Sequence, residues 1–131
     1  MRDAPYHATL FDIPESERID HWFYATTNSI DVKPGWSKDV ERRMKRDRQF
    51  RGYLLIWKRP CNCELPLIGD KRKCELEIAW EHAHAKDRLP NGEHYRPSKD
   101  IKTALYFRAR SSKSSMAVMA WLEEHATGRT A

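Results

Sequence analysis

The chain has 131 residues, of which 33% are charged and 40% hydrophobic, a size and balance that suit one compact core and leave little room for two. Five Trp, five Tyr and four Phe supply enough apolar surface to argue against a disordered polyelectrolyte. No run approaches the roughly 20 apolar residues that span a bilayer, and residues 1–13 lack the basic-then-apolar layout of a secretory signal, so a soluble cytoplasmic protein with no membrane partner is expected.

The formal charge of +5 is unevenly spread. Residues 1–37 carry three Arg/Lys against six Asp/Glu, residues 38–59 nine against three, and residues 60–131 twelve against ten. A positive excess gathered in one short stretch points to an acidic partner.

In chain order, residues 6–11 read as a short extended start. Asp12 then caps a helix with Pro14, Glu15 and Glu17 in its first turn, and Ile19, Trp22 and Phe23 form its apolar stripe. Residues 26–32 are β-prone, and Pro34-Gly35 marks a turn. A second helix is expected from Ser37 as N-cap to about Gln49, with Val40 and Met44 inward and Arg42, Arg43, Lys45, Arg46 and Arg48 outward. Strands are predicted over 52–59, 74–82 and 103–110. The second rests on Cys74, Leu76, Ile78 and Trp80 alternating with Glu75, Glu77 and Glu81, and Gly69-Asp70 suits the turn of a hairpin joining the first two. Residues 84–102 read as a long polar loop. A last helix starts within 111–115, runs through Met116 to His125 and buries Ala117, Val118, Trp121 and Leu122, with Gly128 as its stop signal in a frayed tail at 126–131. The expectation is a single α+β domain over residues 1–131, built on a small antiparallel sheet of three or more strands with two or three helices packed mainly on one face.

Two constellations suit phosphate. Arg42, Arg43, Lys45, Arg46, Arg48 and Arg51 can neutralise several backbone phosphates. Arg108, Arg110, Ser112 and Lys113 flank the start of the last helix, where unpaired amides and hydroxyls favour an anion. The order helix, three strands, helix over residues 37–125, with Lys113 near the start of the final helix, resembles the layout of the double-stranded-RNA-binding domain. That family clusters lysines where only Lys113 stands here, and the resemblance implies RNA as a partner.

Cys61, Cys63 and Cys74, with His82 or His84, have the donor chemistry of a zinc site, but Cys-x-Cys is not the usual knuckle spacing, so reduced core-packed thiols are the favoured reading and no cofactor or metal ligand is assigned. His82, His84 and His94, near Tyr95, suggest general acid–base cleavage of a phosphodiester. His7-Ala-Thr9 and His125-Ala-Thr127 echo the motifs of two-histidine phosphoesterases, and coincidence explains them better. The favoured expectation is a nucleic-acid-binding protein, for RNA or DNA, without catalytic residues and with exposed Tyr95 or Trp36 stacking on bases. One alternative is a small inhibitor or adaptor that docks on a nucleic-acid-handling protein complex, of the kind encoded by phages and plasmids. The other is the His-dependent phosphodiesterase.

Overall fold

A computed structural model describes residues 20–130, and the side chains of residues 20–125. The extended start over 6–11, the helix capped by Asp12 and the His7 motif lie outside the described residues. Strand β1 (His21–Thr27) is the centre of a three-stranded antiparallel sheet, between β2 (Val32–Ser37) on one side and β3 (Leu54–Cys61) on the other. Trp22 and Phe23 are therefore strand residues on opposite faces rather than neighbours on a helical stripe. Asn28 turns the chain between β1 and β2: its side-chain oxygen accepts from the amides of Ile30 and Asp31, both at 2.9 Å, the Asx geometry that replaces lost ladder bonds. Pro34-Gly35 lies within β2 and not in a turn.

Helix α1 (Val40–Arg46) is shorter than expected, with Asp39 rather than Ser37 as N-cap. The Asp39 carboxylate accepts from the Arg42 amide at 3.1 Å, and Asp47 caps a following 3-10 turn, Arg48–Phe50. After β3, a small hairpin pairs β4 (Leu67–Ile68) with β5 (Lys71–Arg72) around Gly69-Asp70. The predicted turn is real, but it does not join β3 to another strand of the main sheet.

The predicted strands over 74–82 and 103–110 are helices: α2 (Glu75–Ala83) and α3 (Lys99–Ala109). In 74–82, Glu, Leu and Ala are strong helix formers and an alternation over so few residues does not separate the two periods; in 103–110, Ala104, Leu105 and Ala109 favour the helix over the β-prone Thr103, Tyr106 and Phe107. The helix–three-strand–helix order that carried the resemblance to the double-stranded-RNA-binding domain is therefore not formed. Helix α4 (Lys113–Thr130) begins where expected but continues through Gly128. It buries Met119, Leu122 and Ser115, while Ala117 is exposed. The stretch 84–98 is tied down rather than loose: Tyr95 pairs with Val32 through backbone bonds of 2.8 Å in both directions, extending the edge of the sheet.

The architecture is α+β. Phe23 and Ala25 of β1 pack against Trp80 of α2, Ile101 and Leu105 of α3, and Met119 and Leu122 of α4, all buried. On the other face, Tyr24 packs with Val40 of α1 and with Phe50. Three helices thus cover one face and α1 the other. No described helix is long and apolar enough to cross a membrane.

Candidate active site

A groove of about 460 Å³ runs along the β2 edge of the sheet, where the helices of the two faces approach each other. Its floor is Lys33 to Trp36 of β2, with Tyr24 of β1 and Tyr95 beneath. Arg43 of α1 closes one side, and Glu77 and Glu81 of α2 close the other. Lys71, Arg72 and Lys73 of the small hairpin, with Arg88, complete the wall. Six cationic side chains thus meet three carboxylates, the third being Glu93.

Glycine at position 35 is what admits the Tyr24 hydroxyl. The two residues are cross-strand partners, and a Cβ on residue 35 would lie 2.6 Å from the hydroxyl oxygen, well inside contact distance. Burial pushes the Tyr24 phenol up to about 12, against a lowering by the nearby Arg43 guanidinium. The phenol is therefore neutral at physiological pH and can donate a hydrogen bond. Tyr95 also borders the groove, and its buried hydroxyl has no hydrogen-bond partner among the described residues.

The two glutamates of α2 sit one turn apart, on the same side of the helix, and meet different surroundings. Glu81 is held by Lys73 at 2.7 Å and Arg88 at 3.7 Å. Glu77 makes no close ion pair with either among the described residues; burial, then repulsion from Glu81, lifts its carboxyl to about 7, against a lowering by Lys73 and Lys33. A carboxyl raised in this way is poised to gain or lose a proton near neutrality. Lys33, almost wholly buried, meets Glu93 at 3.6 Å and lies over the Phe50 ring.

Of the sequence-derived binding residues, Arg43 alone enters this groove. Lys45, Arg46, Arg48 and Arg51 line a shallow recess at the C-terminal end of α1, and Arg42 is exposed. The second constellation is differently employed. Ser112 accepts from the Ser115 amide at 3.3 Å as a helix cap, Arg108 lies over Trp57 and donates to the Ala104 carbonyl at 3.0 Å, and Arg110 stacks on Phe107. Lys113 is exposed at the first position of α4. None of these four lines the groove.

The described histidines do not form a catalytic group. His82 is exposed, and His84 lies against Trp80 with ring centroids 4.3 Å apart, its pKa lowered by burial. His94 is paired with Asp31 at 3.1 Å and Tyr53 at 3.2 Å, and the His125 ring bonds the Trp121 carbonyl. Tyr95 is 1% exposed, so it cannot stack on a base, whereas Trp36 lines the groove and donates its indole N–H to the Arg72 carbonyl at 3.3 Å. The three cysteines do converge, on His21 rather than on His82 or His84. Sequence reasoning missed Tyr24, Gly35 and Glu77, which no local motif links.

The chain matches no protein-family model, no curated protein and no solved structure.

Proposed function

We propose that the groove binds the backbone of a nucleic acid and hydrolyses a phosphodiester there, with a divalent cation of the Mg²⁺ class anchored on Glu77. The observation that carries this reading is the placement of Glu77 among cations with no ion pair of its own among the described residues. A surface built only to hold phosphate gains nothing from a half-buried carboxyl in its wall, because the negative form repels the ligand. Glu77 would resolve the conflict by holding a Mg²⁺-class cation, which would supply charge neutralisation to a phosphate; Mg²⁺ is commonly held by one or two carboxylates, substrate phosphate and water.

The residues divide the work. Arg43 and Lys33 offset charge on the phosphoryl oxygens. The neutral Tyr24 hydroxyl orients the attacking water or a non-bridging oxygen. The water oxygen forms the new P–O bond as its proton passes to solvent through a neighbouring group, the ester P–O bond breaks, and the leaving oxygen takes up a proton. Products are a phosphate monoester and an alcohol, and no electron is gained or lost. The cationic recess lined by Lys45, Arg46, Arg48 and Arg51 adds positive surface beyond the groove and favours a polymeric substrate over a small phosphate ester.

The experiment is a cleavage assay on single- and double-stranded DNA and RNA with and without Mg²⁺ or Mn²⁺, for the native chain and for Glu77→Gln. Metal-dependent cleavage lost in the variant, with binding retained, supports the reading. Tight salt-sensitive binding without cleavage on every substrate returns the protein to a binding role. A stoichiometric protein partner that survives nuclease treatment favours an adaptor.

A further inference from the structure

We infer that His21, Cys61, Cys63 and Cys74 form a structural zinc site. The four residues come from four places: the start of β1, the end of β3, the loop after it, and the residue that precedes α2. Their donor atoms all lie within 4.8 Å of one another. His21 Nε2 is 3.3 Å from Cys74 Sγ and 3.5 Å from Cys63 Sγ, and the two sulfurs are 4.0 Å apart. A tetrahedron with Zn–S near 2.3 Å and Zn–N near 2.1 Å has edges of about 3.8 Å between sulfurs and about 3.6 Å between nitrogen and sulfur. The observed separations are close to those edges.

The surroundings agree. His21 is fully buried; among the described residues its Nε2 meets only sulfurs and its Nδ1 has no hydrogen-bond partner. A buried imidazole whose polar contacts are all thiols is poorly satisfied by weak S–H bonds and well satisfied by a metal. The Glu75 amide donates to Cys63 Sγ at 3.4 Å, a contact that suits a thiolate. The cysteines are not disulfide-bonded. Three thiolates and one imidazole close the coordination sphere, the pattern of a structural rather than a catalytic zinc.

The position gives the site a task. Cys63 and Cys74 bracket the hairpin whose Lys71, Arg72 and Lys73 wall the groove, and Cys74 starts the helix that carries Glu77 three residues later. Zinc would fix both relative to β1. This inference does not rest on the hydrolytic reading, since the metal would be structural whatever the groove binds.

The test is metal analysis of the full-length chain purified without added metal, followed by Co²⁺ titration of the chelator-stripped protein. One zinc per chain, strong thiolate-to-cobalt charge-transfer absorption with tetrahedral visible bands, and protection of all three thiols from alkylation are expected. His21→Ala should weaken zinc affinity at least tenfold, His21→Cys should restore it, and His84→Ala should leave it unchanged. Absence of charge-transfer absorption in the native sequence, or zinc that leaves the thiols freely alkylated, overturns the assignment. That spectroscopic result stands even if the His21 variants fail to fold.

Discussion

Tyr24 and Gly35 face each other across the β1–β2 ladder, with the phenol oxygen occupying the space a side chain at 35 would need. Gly35→Ala should therefore displace Tyr24 from a buried site and destabilise the protein by about 1–3 kcal/mol, the usual cost of overpacking. Adding Tyr24→Phe removes the atom that the new methyl would strike first. The double variant should be more stable than the sum of the two single changes predicts, by roughly 0.5 kcal/mol or more. Denaturant unfolding of the four proteins in the cycle checks this, and simple additivity would show that the two positions do not compete for space.

Glu77 couples the site to stability with a definite sign. Its carboxyl titrates near 7 in the folded protein and near 4.3 when unfolded, so between those values the native state binds more protons and stability falls as pH rises. Glu77→Gln removes that loss. The variant should match the native protein near pH 4 and exceed it by on the order of 2 kcal/mol at pH 8, while cleavage is lost. Thermal unfolding across that range checks it. A variant less stable at pH 8 would mean that Glu77 makes a favourable interaction as a carboxylate.

Adjacent arginines should behave differently. Arg43 borders the groove beside Tyr24, whereas Arg42 is exposed and does not line it. Arg43→Ala should lower kcat by about 10²–10³-fold, the scale for removing a donor to developing charge. Arg42→Ala should change kcat little and mainly weaken binding. Equal effects on kcat from the two would remove Arg43 from the reacting centre.

The recess lined by Lys45, Arg46, Arg48 and Arg51 should contribute to binding through a salt-dependent, sequence-independent term. Replacing Arg46 and Arg48 together by Gln should reduce the slope of log affinity against log salt by about 0.9 for each duplex phosphate that is no longer neutralised. Folding stability should change by less than about 0.5 kcal/mol for each exposed position. An unchanged salt slope would take the recess out of the interface.

Sequence reading reaches some of this arrangement and misses the rest for identifiable reasons. The strand over 52–59 and the helix beginning near Lys113 are legible because their apolar residues and caps act locally. The segment 74–82 misleads because a few alternating residues satisfy either period and mask the helix-forming Glu, Leu and Ala, and in 103–110 the β-prone Thr103, Tyr106 and Phe107 outweigh Ala104, Leu105 and Ala109. Pro34-Gly35 resembles a turn because both residues favour one, yet Gly35 serves a side chain on the neighbouring strand. Arg43 stands out through local charge density. Glu77 reads as a solvent-facing strand position, and only the fold brings it to a groove with Arg43 and Tyr24. The cysteines are conspicuous, but their fourth partner, His21, lies far upstream on β1, where no spacing rule reaches.

Strand β1 serves both centres, with His21 on the face toward α2–α4 and Tyr24 on the face toward α1. Because side chains alternate along a strand, a pairing slip of one residue would exchange the two faces and dismantle both centres together. The irregularity in the β1–β3 ladder between Ala25 and Thr26 interrupts the repeat that such a slip requires. The bulge thus works as an indexing notch: it holds the register in which one short strand presents an imidazole to one side and a phenol to the other.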